Sequence, residues 1–130
     1  TFPVIYCATL DSAGVHQSNL ASGNIEDLPT GTVLVWKNGT NVPCTVEADH
    51  MRMGVAVNGT KSPLVQGAEP VLVTGIVNEG DYLITSTKEG HAKAISRQEM
   101  LDRNLYDCVL GKALEDGNGE SYLLKVWITI

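Results

Sequence analysis

The segment TVLVWKNGTNVP, residues 32–43, decides the fold class. Apolar residues alternate along it on both sides of Asn38-Gly39, and an Asn-Gly pair suits the two positive φ angles of a type I′ turn. We therefore predict a β-hairpin here, and a chain built from hairpins rather than from long helices.

Similar strands and turns follow toward the C-terminus. MRMGVAV, residues 51–57, ends at a second Asn-Gly pair, and HAKAI, residues 91–95, follows the turn residues 88–90. The segments CVLGKALE and SYLLKVWITI flank Asp-Gly-Asn-Gly at 116–119, which predicts a last hairpin.

A central hairpin is expected from PVLVTGIVNEGDYLITS, residues 70–86. Polar residues 78–81 separate two apolar runs, so we expect the first run to pair with the second around that bend. Gly80 would supply a positive φ in the turn. Glu79 and Asp81 straddle the bend without a third group that would complete a catalytic site, so we interpret them as a solvated rim rather than as an acid and a base.

One short helix is predicted in SRQEMLDRNLYD, near residues 96–105. Ser96 and Glu99 form a capping box, in which the serine hydroxyl accepts from the Glu99 amide and the glutamate carboxylate reaches back. The apolar stripe expected to pack on the sheet consists of Met100, Leu101 and Leu105.

These signals predict an all-β fold, a mainly antiparallel small barrel or sandwich of about eight to ten short strands with one short helix. We expect a compact β domain over residues 29–130. Residues 1–28 are expected to form an N-terminal strand in FPVIYCATL, followed by a polar arm. A connection of this length usually has a function, such as reaching a neighbour.

Composition and charge argue against several classes of function. A chain of 130 residues, 43% of them hydrophobic, suits one domain with its own core. Fifteen acidic and nine basic residues give a net charge of -6, and the basic residues are scattered. Nucleic-acid binding through phosphate neutralisation is therefore not expected. Membrane insertion is not expected either, because no apolar run reaches the roughly 20 residues that span a bilayer.

The candidate catalytic and metal-binding residues do not form a recognised motif. His16, His50 and His91 occur without a Gly-x-Ser-x-Gly nucleophile turn, and Asp49 next to His50 would face the opposite side of a strand. The turn at 116–120 has too few ligands for a calcium loop. We therefore expect no catalytic residue, no cofactor and no metal. Three isolated cysteines in apolar surroundings are interpreted as buried hydrophobes: Cys7, Cys44 and Cys108.

The order of turns and strands resembles a small β domain of tailed-bacteriophage virion proteins. Over residues 29–130 it is similar to the capsid decoration (cement) protein family and to the related terminal β domain of cyanophage-type fibres. The helix near 96–105 takes the place of a shorter link. The matching features are Gly31-Thr-Val33, Met53-Gly-Val-Ala56, Val73-Thr-Gly75 leading to Gly80-Asp81, Gly90 with a following Ala-x-Ala, and Leu110-Gly-Lys-Ala-Leu-Glu115.

The resemblance implies a non-enzymatic virion component, commonly a homotrimer, that is assembled in the host cytoplasm. A decoration protein would stabilise the head shell by binding the major capsid protein or neighbouring virion subunits, with the polar arm ordering as it docks. Phe2, Pro3 and Tyr6 are the expected interface anchors, because aromatic residues dominate interface energetics. The competing interpretation places them in a core strand.

Three alternatives stay open. The chain could be the terminal β domain of a trimeric head or tail fibre, released by autoproteolysis as an intramolecular chaperone, with Thr1 marking the cut. Thr1 could also be a nucleophile that uses its own α-amine as base. A carbohydrate-binding domain would use Trp36 or Trp127 as a stacking platform, although tryptophan in a strand is more often part of the core.

Overall fold

Ten β-strands make up most of the regular structure in the computed structural model, which describes residues 23–130 and the backbone of residues 9–10 and 16–17. A single helix, α1 (Arg97–Asp102), and 3-10 turns at Ile25–Asp27 and Tyr106–Cys108 complete this part of the chain. The strands are β1 (Thr9–Leu10), β2 (His16–Gln17), β3 (Val33–Lys37), β4 (Thr40–Pro43), β5 (Arg52–Val55), β6 (Leu64–Val73), β7 (Tyr82–Thr85), β8 (Ala92–Ile95), β9 (Gly111–Ala113) and β10 (Tyr122–Thr129).

Five strands close into a barrel. Strand β6 pairs with β10 along eight positions, from Val73 with Tyr122 to Gln66 with Thr129. The order continues through β9, β7 and β8, and β8 returns to β6 in a parallel pairing at Val73 and Ala92. The predicted all-β, mainly antiparallel barrel with one short helix is therefore confirmed.

The remaining strands extend the sheet from β6. Strand β5 pairs with β6 and β3, β3 pairs with β4, and β2 joins β6 with β1 on its far side. The hairpin predicted from residues 32–43 is confirmed: Lys37 lies opposite Thr40, and the two linking residues have positive φ, 54° at Asn38 and 77° at Gly39. The last predicted hairpin is confirmed as β9 and β10.

The central hairpin predicted from residues 70–86 is wrong. Strand β7 pairs with β8 and β9, whereas β6 pairs with β10, so the two apolar runs are not partners. Residues 74–81 instead run beside the β9–β10 connection, where Val77 bridges to Gly117. Closure of the barrel pairs β6 with β10, which lies far along the chain. The turn residues between β6 and β7 cannot indicate that partner, because they report only on neighbouring segments. Gly80 does have the predicted positive φ, 91°.

The barrel interior is filled by the inward residues of these strands. Val71, Val73, Leu124, Val126 and Ile128 alternate with outward residues on β6 and β10. All are buried, as the strand period of two requires when one sheet face is covered. The outward residues of the same two strands are consequently left on the opposite surface.

Helix α1 covers the outside of β7 and β8. Ser96 caps it as predicted, accepting from the Glu99 amide at 3.1 Å, but the Glu99 carboxylate binds Arg103 instead of reaching back. Met100 is buried and Leu105 is half-buried against this small second core, while Leu101 is exposed. The predicted helix is thus confirmed, although it ends at Asp102 and its apolar stripe is narrower.

The N-terminal predictions fall mainly outside the described residues. The strand expected over residues 2–10 is described only as β1, and the interface candidates Phe2, Pro3 and Tyr6 lie outside the described part.

Gly54→Ala tests the close approach of β5 to β6. Gly54 has φ of 120°, and a Cβ there would lie 2.2 Å from the carbonyl oxygen of Leu64. Positive φ and the clash together should lower the free energy of unfolding by about 3 kcal/mol, measured by urea denaturation. Gly59→Ala is the matched control, because Gly59 has φ of 88° with open space around it, and should lose only about 1 kcal/mol. Equal losses in both variants would contradict the steric explanation.

Candidate functional site

A groove of about 560 Å³ lies beside the β3–β4 hairpin. Val35 and Val42, directly opposed on the two strands, belong to its lining, as does Pro43. Val46 and Met51 also line it, with 54% and 41% of their surfaces exposed. The other lining residues are Trp36, Lys37, Asn38, Thr45, Asp49 and Glu89. We call this the hairpin groove.

One wall of the hairpin groove is residues 44–51, which β7 holds in place. The buried Thr85 hydroxyl donates to the Val46 carbonyl at 2.7 Å and accepts from the Asp49 amide at 2.7 Å. The Ala48 amide donates to the Thr85 carbonyl at 3.1 Å. Because each bond fixes backbone rather than a side chain, this wall is formed before any ligand binds, which lowers the entropy cost of binding.

Two charged residues tie this wall and the strand that follows it to neighbouring segments. Arg52 donates to the carbonyl oxygens of Val109 and Asp107, and burial lowers the pKa of its guanidinium. Glu47 binds Lys93 at 2.6 Å and Arg103 at 3.2 Å. Hydrogen bonds from Lys93 and then from Arg103 lower the pKa of the Glu47 carboxyl below its ordinary value.

A second surface is the outward row of β6, β10 and β9, which we call the outer face. Trp127 stands opposite Ala68 on β6 and Lys112 on β9. Trp127 is 42% exposed and Leu123 is 53% exposed. The Lys112 ammonium lies 5.7 Å from the centre of the Tyr82 ring. The remaining outward pairs are Leu123 with Leu72, Lys125 with Pro70, and Thr129 with Gln66.

The outer face joins apolar area to positive charge. Lys112 and Lys125 form no ion pair with the described part of the chain, although the chain as a whole carries a charge of -6. The Glu115 carboxylate accepts from the Lys125 backbone amide at 2.9 Å. A partly apolar surface with polar neighbours is typical of a protein interface.

A ribbon formed by residues 74–81 and 113–121 carries five acidic residues, four of them exposed. The two segments are joined by backbone bonds between Gly75 and Gly119 and between Val77 and Gly117. Ile76 projects from this acidic ribbon with 70% of its surface exposed. The acidic residues of the ribbon are Glu79, Asp81, Glu115, Asp116 and Glu120.

His91 and Ser121 form a pair that the sequence did not suggest. His91 Nδ1 lies 2.7 Å from the Glu89 carbonyl and Nε2 lies 2.7 Å from Ser121 Oγ. A carbonyl only accepts, so Nδ1 carries a proton, and in the neutral ring Nε2 accepts a hydrogen bond from the Ser121 hydroxyl. The residues are 30 positions apart, and no local motif links them. The same bonds also join the β7–β8 turn to the acidic ribbon.

The other candidates from the sequence are dispersed. Asp49 accepts from the Met51 amide at 2.9 Å and forms no recorded bond with the exposed His50. Cys44 and Cys108 are buried free thiols as predicted, and burial raises the pKa of both. Among the described residues, no group of three His, Cys, Asp or Glu side chains could hold a metal ion, and no helix is long and apolar enough to cross a membrane.

The exposure of Trp127 has a signal in the sequence. In SYLLKVWITI, Trp127 falls at the same alternate positions as Ser121, Lys125 and Thr129. It therefore points to the polar side of the strand. Trp36 is half-buried and lines the hairpin groove. Comparisons of the chain with protein-family models, with curated proteins and with solved structures found no match.

Glu47→Gln tests the ion pairs behind the groove wall. A lowered carboxyl pKa stabilises the fold at pH values above the pKa of the unfolded chain, about 4.3, and this contribution disappears as pH falls through the lower folded-state pKa. At pH 7 the variant should lose roughly 0.5 kcal/mol, since the pair is partly exposed. The difference from wild type should vanish near about pH 2 in urea titrations. Asp27→Asn, at an exposed residue without an ion pair in the described part, should match wild type throughout.

Proposed function

We propose that the chain is a non-enzymatic bacteriophage virion protein, and specifically a capsid decoration (cement) protein that stabilises the head shell by binding between capsid subunits. The observation that carries this proposal is the preformed hairpin groove, whose apolar residues Val46 and Met51 stand exposed on a wall fixed by Thr85. A cement protein acts by adding interface area to subunits that already touch, and a rigid site serves that purpose because little entropy is lost on docking.

The groove suits an apolar side chain of a neighbouring subunit. Its apolar residues would cover such an anchor, and covering one large side chain contributes about 2 kcal/mol. Lys37, Asp49 and Glu89 line the groove with both signs of charge, which would orient the partner more than strengthen the contact. Several weak grooves per particle act together, so moderate affinity for each site is sufficient.

The partners follow from this role. We propose that the major capsid protein or neighbouring virion subunits are bound by a homotrimer of this chain, in a virion assembled in the host cytoplasm. Residues 1–28 would add an arm to the contact, with Phe2, Pro3 and Tyr6 as its anchors.

The same β domain also suits the end of a trimeric head or tail fibre, which is the alternative location. Electron microscopy of virions separates the two. Density for this chain on the capsid surface supports decoration, and density on the tail or on a fibre supports the fibre domain.

A second function is favoured by one observation, the contact between Ser121 and His91. A serine hydroxyl that donates to a histidine held by a carbonyl is the arrangement of an activated nucleophile. Ser121 is exposed and therefore reachable by a substrate. Such a residue would serve the autoproteolysis considered for a fibre domain. Ser121 Oγ would attack the carbonyl carbon of a peptide bond, and His91 Nε2 would take the hydroxyl proton and give it to the leaving amine as the C–N bond breaks. Water would then hydrolyse the ester formed on Ser121 and release the new carboxylate.

Substitution of the groove tests the decoration proposal. Val46→Asp and Met51→Asp place a charge where an apolar anchor would sit, so each should weaken co-sedimentation with heads prepared without this protein by at least about 10-fold. Leu101→Asp is the matched control, because Leu101 is an exposed apolar residue on α1 outside the groove, and it should bind like wild type. Failure of the wild-type chain to sediment with heads contradicts the decoration proposal.

A fluorophosphonate probe tests the second function. Ser121 Oγ would bond to phosphorus, fluoride would leave and His91 Nε2 would accept the hydroxyl proton. Mass spectrometry should then find the adduct on Ser121, and both Ser121→Ala and His91→Gln should abolish it. An unmodified wild-type chain would assign the pair a purely structural role.

A further inference from the structure

We propose that the outer face of one copy of this chain binds the acidic ribbon of a second copy. The outer face offers Trp127, Leu123 and the two lysines, Lys112 and Lys125, whereas the ribbon offers Ile76 and a set of carboxylates. This contact rests on the proposed homotrimer and specifies which surfaces form it.

Charge complementarity is the first argument. The lysines of the outer face have no ion pair in the described part of the chain, and the carboxylates of the ribbon have none either. The Lys88 ammonium lies beside the ribbon, but it donates to the backbone carbonyl of Glu120 at 2.6 Å rather than to a carboxylate. Two copies with a charge of -6 repel each other overall, so association favours surfaces that bring lysines to carboxylates.

Apolar complementarity is the second argument. Ile76 is the most exposed of the large apolar residues described, and it stands among the carboxylates of the ribbon. The outer face presents the apolar row formed by Leu72, Leu123, Pro70 and Ala68 beside Trp127. An isoleucine pressed against such a row, with charges around it, gives the apolar centre and polar rim of a protein interface.

The two surfaces differ, which determines the symmetry of the assembly. A symmetric dimer through the outer face would place the lysines of both copies together, and one through the ribbon would place carboxylates together. The contact is therefore heterologous, and repetition of it gives a closed ring or an open filament. The surfaces share a border at Leu114 and Glu115, because the Leu114 amide donates to the Lys125 carbonyl. Two contact surfaces that adjoin on one copy enclose a small angle. Few copies are then needed to close the ring around its symmetry axis.

Charge exchange tests this contact in the purified full chain. Lys112→Glu with Lys125→Glu reverses the outer face, and Glu79→Lys with Glu120→Lys reverses the ribbon through side chains that hold no recorded hydrogen bond. Each pair of substitutions should convert the oligomer to a monomer in sedimentation equilibrium at roughly 100 μM, where a micromolar contact is almost saturated. All four substitutions together should restore the oligomer, because the charges are complementary again.

Controls keep the result specific. Lys61→Glu changes the charge by the same sign at an exposed lysine outside both surfaces and should leave the oligomer intact. Ile76→Asp should give a monomer whose circular dichroism is native. A monomeric wild type, or a four-fold variant that stays monomeric while its circular dichroism is native, overturns the contact. Binding to heads is measured separately, so loss of head binding by an intact oligomer would contradict the decoration role alone.

Discussion

The pairing of β6 with β10 is the contact on which the rest of the structure depends. Its eight residue pairs join the middle of the chain to its C-terminus and close the barrel. Closure removes the free edges of both strands and aligns their inward residues, from Val71 to Ile128, over one core. It also fixes the register of the outward residues, so Trp127 meets Ala68 and Lys125 meets Pro70 only because this pairing holds.

Local signals in the sequence predict the parts of the fold whose partners are close in the chain. Asn38-Gly39 fixes the β3–β4 hairpin because the two positive φ angles and both strands lie within twelve residues. Ser96 caps α1 through an amide three residues away. The β6–β10 pairing has no such local cue, because its strands lie about fifty residues apart and neither ends in a turn that leads to the other. The predicted central hairpin failed for that reason.

The same distinction applies to the candidate sites. The hairpin groove combines β3 and β4 with residues 44–51, whose position depends on Thr85, a residue that appears in the sequence as an ordinary strand threonine. His91 and Ser121 meet across the barrel end in the same way. The exposure of Trp127, by contrast, can be predicted from alternation within one strand. Lys125 and Thr129 lie two residues before and after it, and these polar side chains mark the solvent side.

Strand β10 separates the barrel core from the outer face by the parity of its residue numbers. Its even-numbered residues Leu124, Val126 and Ile128 fill the barrel, while the odd-numbered Leu123, Lys125 and Trp127 form the outer face. A change at an even position acts on the core and so on the folded population of each copy. A change at an odd position leaves the core intact and alters the outer face alone. The acidic ribbon adjoins the end of β6 at residue 74 and the start of β10 at residue 121. A second copy bound there would contact the segments flanking the β6–β10 pairing, and association would then stabilise barrel closure by mass action.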